Sequence, residues 1–242
     1  MLSRGEREQG TDKERSKRQE RAERILDAAG ELLRRWGYKK TTLDDISKQA
    51  GVAKGTIYLH WKSREALFEE LILREWRSIL EDLRQRLAND PTGVMLSSLT
   101  RHVVSIAVGN LLMLLSDTET LGELRRSNIW QDIVKFRMET TKIYLEQLRS
   151  EGLLRTDTDV QTQLKMMSAI CTGFFVVNPL MPPDSRFSPE EMVEALAETL
   201  HRTFEPEEPP APEALKRVTQ AFTQVLDRYA ELLERKYNES KL

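Results

Sequence analysis

The segment Thr41–Phe68, TTLDDISKQAGVAKGTIYLHWKSREALF, decides how the first part of this chain folds. Thr42 precedes Asp45 by three residues, a spacing that lets both side chains cap the start of a helix. Gly51 permits the left-handed conformation that ends such a helix. A second short helix is expected over Ala53 to Trp61. The segment therefore predicts two short helices joined by a tight glycine turn, which is helix-turn-helix geometry.

The second predicted helix carries side chains that donate hydrogen bonds to phosphates and base edges. Such residues on the exposed side of a helix-turn-helix predict binding to double-stranded DNA. We expect some of them to hold phosphates, and Lys54, Thr56 and the backbone near Gly55 to face bases. The candidate DNA-binding residues, in and just after the motif Thr42 to Trp61, are Thr42, Ala53, Lys54, Gly55, Thr56, Tyr58, His60, Lys62 and Arg64.

The run GVAKGTIYLHWKSREALF, residues 51–68, resembles the DNA-binding signature of the TetR/AcrR family of bacterial transcriptional repressors. The resemblance covers roughly Arg15 to Ile72, under a third of the chain. Leu59 stands where many members carry a second aromatic residue, and Trp61 stands where Phe is usual. The resemblance implies a helical body that dimerises and binds a small molecule. The alternative is an interior helical hairpin of an α-helical enzyme.

Charge is distributed unevenly along the chain. The whole sequence has 37 basic and 39 acidic residues, a net charge of -2, which by itself argues against nucleic acid. Residues 1–64 hold 16 basic and 10 acidic residues, a net of +6, and the remainder holds 21 and 29, a net of -8. A basic first part on an acidic body suits DNA binding by the first part alone.

Composition excludes several other classes of protein. Cys171 is the only cysteine, so an intrachain disulfide framework is impossible. The three histidines lie far apart without metal-ligand spacing, so we expect no metal site. No phosphate-binding loop or nucleophile motif is present, so we expect no cofactor and no enzymatic activity. The apolar runs are too short to span a bilayer, and the polar start lacks a signal peptide. A soluble, cytoplasmic protein is expected.

Hydrophobic periodicity predicts an all-α chain without strands. An N-terminal three-helix DNA-binding domain should precede a helical bundle for ligand binding and dimerisation, followed by an additional C-terminal helix. The predicted segments are a disordered arm over 1–12, the DNA-binding domain over 13–64, the regulatory and dimerisation domain over 65–204, a Pro-rich linker over 205–212, and the extra helix over 213–242.

Within the body, caps and prolines mark the expected helices. Ser63 should cap a long helix that continues to Leu87. Asp90 and Pro91 should open another that ends near Leu115. The further expected helices are Thr118 to Arg126, Asn128 to Glu151, Asp159 to Val177, Ser188 to Phe204 and Glu213 to Tyr237. The last needs a partner surface for its apolar stripe, on its own body or on a second subunit.

Two sets of residues in the body are functional candidates. Apolar and Met side chains with isolated polar groups predict a ligand pocket, although ordinary core packing gives the same pattern. Its expected lining residues are Met95, Leu99, His102, Val103, Ile106, Asn110, Met113, Trp130, Val134, Met167, Cys171 and Phe174. The resemblance also implies a two-fold dimer, for which the expected contact stripe is Met192, Leu196, Leu200 and Phe204.

Together these patterns predict a homodimeric repressor of transcription that binds a pseudo-palindromic operator and is released by a small apolar or amphipathic effector. One alternative is a helical enzyme or carrier that happens to contain a helix-turn-helix. Another is a regulator without a small-molecule effector, controlled by a protein partner or by oxidation of Cys171. The sequence leaves open the effector, the operator and the role of the last helix.

Overall fold

The computed structural model describes residues 4–108 and 128–240. These residues form α-helices, short 3-10 turns and loops, and none of them forms a strand, so the predicted all-α class is confirmed. No helix in the described ranges combines the length and apolarity needed to cross a membrane. The chain divides into two compact units, residues up to Leu73 together with those from Tyr237 onward, and Arg74–Lys236.

The first unit contains the helix-turn-helix segment. Its core is formed by an apolar stripe of the first helix, including Ile25, Leu26 and Ala29, with the apolar residues of the elements that follow it. Gly37 interrupts the first helix with φ 77°, a conformation that favours glycine. The helices are α1 Arg4–Lys40, α2 Leu43–Ala50, α3 Lys54–Tyr58 and the beginning of α4 Arg64–Asn89.

The arm predicted to be disordered over residues 1–12 differs from the structure, because α1 already begins at Arg4. The expectation had relied on the lack of apolar periodicity. Arg, Glu and Gln are nonetheless good helix formers, and residues adjoining an established helix extend it without a new nucleation step. The boundary predicted at residue 64 also differs, since the compact units divide after Leu73, inside α4.

The second unit is a bundle of longer helices. Beyond the later turns of α4 it contains α5 Leu96–Val108, α6 Asn128–Ser150, α7 Val160–Val177, two 3-10 turns at Asn178–Leu180 and Pro183–Ser185, α8 Pro189–Phe204 and α9 Pro212–Ser240. The helices expected over Asp159 to Val177 and Ser188 to Phe204 are confirmed, with Asp159 and Ser188 as their N-caps, and Gly152, with φ 72°, follows α6 as expected. The predicted helix Thr118 to Arg126 and the end near Leu115 lie outside the described residues.

The start of α5 was predicted incorrectly. Pro91 belongs to a tight turn, and the helix begins five residues later at Leu96. The Asp90 carboxylate accepts hydrogen bonds from the backbone N–H and the hydroxyl of Thr92, both at 2.9 Å, so it stabilises a turn in place of a helix start. Gly93 is required there, since a Cβ would lie 2.9 Å from the Leu87 side chain and 3.1 Å from the Asp90 carbonyl oxygen.

Helix α8 packs against α5, and this packing corrects the predicted dimer stripe. Met192, Leu196, Leu200 and Phe204 are all buried inside a single chain, with at most 3% of their surface exposed. They form the core of the second unit and are not available to a second subunit. The regular four-residue spacing of these residues identified a buried helix face correctly, but spacing alone does not say whether the covering surface is internal.

Glu205, predicted as the first residue of an extended linker, is instead a buried structural residue. Its carboxylate accepts hydrogen bonds from the Ser97 backbone N–H at 2.7 Å and the Ser97 hydroxyl at 3.0 Å. It also lies 2.7 Å from Nδ1 of His201. Ser97 is in the first turn of α5, where backbone N–H groups lack helical partners. A residue distant in sequence therefore caps α5.

The apolar stripe of α9 finds its partner within the second unit. Val218, Leu226 and Leu233 are buried, and the Phe222 ring lies 5.0 Å from the Tyr144 ring on α6. Ion pairs flank the stripe: the Arg217 guanidinium contacts Glu151 at 2.6 Å, and Arg84 contacts Asp227. The C-terminal helix is therefore an integral part of this unit's core.

Glu205→Ala should lower the free energy of unfolding of the second unit by about 2 kcal/mol, because the first turn of α5 loses a charged acceptor in a buried environment. Urea denaturation followed by circular dichroism measures this change. Glu207→Ala is the matched control, since Glu207 lies in the same segment with an exposed side chain. Equal stability of the two variants would contradict the capping role of Glu205.

Candidate nucleic-acid interface

Helix α2 is fixed at both ends by its own sequence. The Thr42 hydroxyl accepts from the Asp45 backbone N–H at 3.2 Å, and the Asp45 carboxylate accepts from the Thr42 N–H at 3.3 Å, which confirms the capping box. The hydrogen bond from Thr42 lowers the pKa of Asp45, so that the cap stays ionised. Gly51 ends the helix with φ 65°. The Thr42 hydroxyl is therefore already engaged in capping.

Helix α3 is shorter than predicted, five residues against the nine expected over Ala53 to Trp61. Ala53 precedes it without a side-chain cap, and Ile57 is the fully buried residue that anchors it. At the other end, the Arg18 guanidinium of α1 donates to the Leu59 carbonyl oxygen at 3.2 Å. This contact satisfies a carbonyl at the helix C-terminus with a cation, the favourable sign for that end.

One face of α3 and the following turn is exposed. Tyr58 exposes 51% of its surface and Leu59 68%, and Lys54 and Lys62 are exposed beside them. Gly55 is also exposed, and a Cβ at this position would meet no atom of a distant residue within 4 Å, so its backbone is open to close approach. We call Lys54, Gly55, Tyr58, Leu59 and Lys62 the exposed α3 face.

Two further candidates, Thr56 and His60, are half-buried beside this face. The His60 ring lies 5.2 Å from the Trp61 ring. Lys54 forms an ion pair with Asp44 of α2 at 2.9 Å, and this hydrogen bond raises the pKa of Lys54, so the amine stays protonated. Leu59, which the sequence offered only as a departure from a pattern, is the most exposed apolar residue of the site.

Arg64 was predicted to contact phosphate, but the structure gives it an internal role. Its guanidinium stacks over the Tyr38 ring, 4.1 Å from the centroid. It donates to the carbonyl oxygens of Thr41, at 3.0 Å, and of Tyr38. These carbonyls follow the end of the regular part of α1, where helical acceptors lack partners. Arg64 thus joins the start of α4 to the segment between α1 and α2.

Trp61 and Glu70 form a second internal connection. The indole Nε1–H donates to the Glu70 carboxylate at 2.6 Å, and both residues are at least 96% buried. A Phe at position 61 would keep the ring but lack this donor. The segment after α3 is therefore bonded directly to the second turn of α4, a feature that the sequence pattern alone did not reveal.

The predicted ligand residues are only partly described. Asn110 and Met113 lie outside the described residues, as do the side chains of Trp130 and Val134. Leu99 and Ile106 are buried on α5, Met95 is buried just before this helix, and Val103 is half-buried on it. His102 lies 2.8 Å from the Asp90 carboxylate, so its polar ring already has an internal partner.

On α7, Met167, Cys171 and Phe174 are half-buried. The Phe174 ring lies 5.8 Å from that of Phe187. Burial raises the pKa of the Cys171 thiol to about 11, so the thiol is protonated at neutral pH and disfavoured as a redox sensor. The described part of the chain contains no cluster of potential metal ligands.

A groove of about 650 Å³ lies elsewhere, between α4 and α9. None of the predicted ligand residues contributes to it. The residues that line the groove are mainly charged: Arg77, Leu80, Glu81, Arg84, Ala230, Glu231, Glu234 and Arg235.

The first unit is a helix-turn-helix module of the kind that presents a short helix to the DNA major groove, and an all-helical bundle follows it in the chain. Residues 25–71 match the family model of bacterial regulatory proteins, tetR family. This match confirms the resemblance of the helix-turn-helix part of the chain to that family.

Similar proteins extend the comparison. The chain is 39% identical over 67 residues to an uncharacterized HTH-type transcriptional regulator, YhgD, from Bacillus subtilis, covering 28% of this chain and 33% of the relative. It is 30% identical over 110 residues to the fatty acid metabolism regulator protein of the same organism, covering 43% and 53%. The chain thus spans a third to about half the length of these curated relatives.

A solved structure shows that the fold is shared over a longer range. The transcriptional regulator FadR from Bacillus subtilis, solved in complex with stearoyl-CoA, superimposes with a TM-score of 0.57 at 22% identity. The match covers 73% of this chain and 96% of FadR. At this identity the likeness establishes the fold of both units and leaves the ligand open.

Trp61→Phe should weaken the α3–α4 connection by about 1–3 kcal/mol, because the buried Glu70 carboxylate loses its donor. Hydrogen exchange of the amides in residues 54–68 measures the loss, and adding Glu70→Leu should recover part of it. Trp36→Phe is the control, since that ring is 41% exposed. Unchanged protection in Trp61→Phe would show that the hydrogen bond does not hold α3.

Proposed function

We propose that this protein is a sequence-specific repressor of transcription that binds a pseudo-palindromic operator as a homodimer and is released by a small apolar or amphipathic effector bound in its helical body. The observation that carries the proposal is the exposed α3 face. A short helix, fixed through Ile57, Arg18 and Trp61, presents two lysines, a phenol and an open glycine backbone to solvent.

The exposed α3 face suggests how the operator is read. The Tyr58 hydroxyl and the Lys62 amine would donate to phosphates, contacts that set the register of the protein on the duplex. Lys54 would reach a guanine edge in the major groove once it leaves or shares its contact with Asp44. The exposed Leu59 side chain is suited to a thymine methyl group, which is an apolar contact that carries sequence information. Thr56, His60 and the backbone near Gly55 border these contacts.

A homodimer is supported by an exposed apolar stripe that differs from the predicted one. Met166, Val176 and Val177 are exposed on α7, and Leu180 and Met181 continue the apolar stripe beyond the end of the helix. Apolar surface of this kind is a candidate for a contact with the same surface of a second copy. Two recognition helices would then engage two half-sites about 34–36 Å apart, one turn of DNA.

Release by an effector is supported by the continuity of α4. This helix begins with the turns that hold Arg64 and Glu70 and continues as part of the second unit to Asn89. An effector that favours a different position of the later turns of α4 would change the distance between the two recognition helices of the dimer. Operator and effector would then oppose each other reciprocally. FadR, which was solved with stearoyl-CoA, shows that a protein of this fold holds an amphipathic molecule.

Selection from a random DNA library should recover a pseudo-palindromic operator. The logarithm of its affinity should fall linearly with the logarithm of salt concentration, because phosphate contacts release counterions. Tyr58→Phe should weaken binding to all sequences by about 1 kcal/mol, as expected for one lost donor. Fluorescence anisotropy with labelled duplexes measures both effects.

Lys165→Ala is the control for this experiment, because Lys165 is an exposed lysine of the second unit on α7. It should leave operator affinity unchanged, whereas Lys54→Ala should reduce it and relax the sequence preference. Failure to recover any operator, or an affinity that does not respond to salt, would refute DNA binding.

Val176→Glu should convert the homodimer to a monomer without unfolding it, because the charge is placed on an exposed apolar stripe. Sedimentation equilibrium at micromolar concentration should give the mass of one 28.1 kDa chain for the variant and twice that mass for the natural protein. Met138→Lys, at a similarly exposed Met of α6, is the control. A natural protein that sediments as a monomer would exclude the dimer.

A further inference from the structure

Two buried hydrogen-bond donors in the second unit have no partner among the described residues. They are the indole Nε1–H of Trp76 on α4 and the phenol O–H of Tyr229 on α9. Buried polar groups are almost always paired, because removing an unpaired group from water is unfavourable. The buried phenol of Tyr144 follows this rule and donates to the Val94 carbonyl oxygen at 2.7 Å. The two unpaired donors therefore point to a missing acceptor.

Both donors belong to one aromatic cluster. The centroids of the Trp76 and Tyr229 rings are 5.9 Å apart with an interplanar angle of 56°. The Phe136 ring of α6 stacks on the Tyr229 ring, with centroids 5.2 Å apart at 26°. Tyr229 is only 8% exposed. Three helices thus contribute rings to one cluster, and two donor atoms are buried within it.

The exposed cation Arg137 acts electrostatically on the same region. Burial raises the pKa of Tyr229, and the positive charge of Arg137, the neighbour of Phe136 on α6, opposes this increase. Burial also raises the pKa of Cys171, and again the Arg137 charge opposes it. The Tyr229 phenol is accordingly neutral and able to donate at physiological pH, and the charge of Arg137 acts on this part of the body.

Two donors and a nearby cation define the chemistry of the acceptor. A carboxylate only accepts hydrogen bonds and offers several lone pairs to different donors. An ammonium group would leave the indole N–H of Trp76 unpaired, because an ammonium only donates hydrogen bonds, and it would be repelled by Arg137. The surrounding aromatic rings suit an apolar body attached to the head group.

We propose that Trp76, Tyr229 and Arg137 bind the carboxylate head of an apolar organic acid, beside the ring of Phe136. Tyr229 makes this site depend on α9, which gives the C-terminal helix a role beyond packing. Only the role of such an acid as the effector rests on the proposed function. Binding of the acid to this site is measured without DNA.

Calorimetry on the full chain with 2-naphthoate and decanoate tests the site. At least one of these acids should bind about tenfold more tightly than the alcohol and the ammonium compound with the same apolar body, because a charged acceptor pairs with the buried donors. Tyr229→Phe and Trp76→Phe remove one donor each and keep an aromatic ring, so each should lower the affinity for the acid by about tenfold. Arg137→Gln should lower the affinity for the acid and leave the affinity for the alcohol unchanged.

Tyr144→Phe is the matched control, since it removes a buried phenol that is already paired. It should leave acid binding unchanged and lower the melting temperature of the ligand-free protein. Tyr229→Phe should keep or raise that temperature, because it removes an unpaired buried group. A fall in melting temperature for Tyr229→Phe like that for Tyr144→Phe, or equal binding of acid, alcohol and ammonium compound, would overturn the proposal.

Operator binding separates this inference from the proposed function. If an acid binds through Tyr229 and also lowers operator affinity, both are supported. If it binds in this way and operator affinity does not change, the site stands and the acid is not the effector. If no operator exists, the proposed function fails, while the calorimetric comparison of Tyr229→Phe with Tyr144→Phe still decides whether the carboxylate site is real.

Discussion

A helix of five residues cannot hold its own conformation in water, because nucleation is unfavourable and few hydrogen bonds follow it. Helix α3 is such a helix, and the rest of the first unit keeps it in place. Ile57 anchors it in the core, and Trp61 bonds to the buried Glu70 of α4 just beyond it. The exposed residues of α3 depend on these connections, since side chains that read DNA must be presented from a fixed position.

The same interaction connects the site to the long helix α4. Glu70 holds Trp61, and Arg64 holds carbonyls at the end of α1 and just after it, so the first turns of α4 are bonded to both sides of the helix-turn-helix. A displacement of α4 would therefore act on the recognition helix through hydrogen bonds and not only through apolar contacts. Trp61, which departs from the usual Phe, gives this chain a polar version of a connection that ring packing alone would otherwise supply.

Polar groups also decide which parts of the second unit are structural and which are candidates for binding. Glu205 caps α5, and His102 pairs with Asp90, so both are accounted for within the chain. Trp76 and Tyr229 are buried in the same unit without a partner among the described residues. An unpaired buried donor is unfavourable, so a ligand that pairs with Trp76 and Tyr229 would add stability. Glu205 and His102 already have partners and belong to the ordinary core.

Local signals in the sequence were sufficient for the all-α class, for the capping box at Thr42, for the glycine at 51 and for the helix starts at Asp159 and Ser188. Each of these depends on residues within about four positions of one another, where spacing fixes geometry. The motif likewise identified the exposed candidates Lys54, Tyr58 and Lys62.

Tertiary structure decided the features that join residues distant in sequence. It placed Arg64 over Tyr38, buried the stripe containing Leu196 against α5, and brought Glu205 to Ser97. Periodicity shows that a helix face is buried but cannot show which surface covers it. A charged residue is predicted to be exposed unless a distant partner for it is known. The sequence by itself therefore determined the helices and the DNA-binding motif, and only the packing of those helices decided which polar residues are internal.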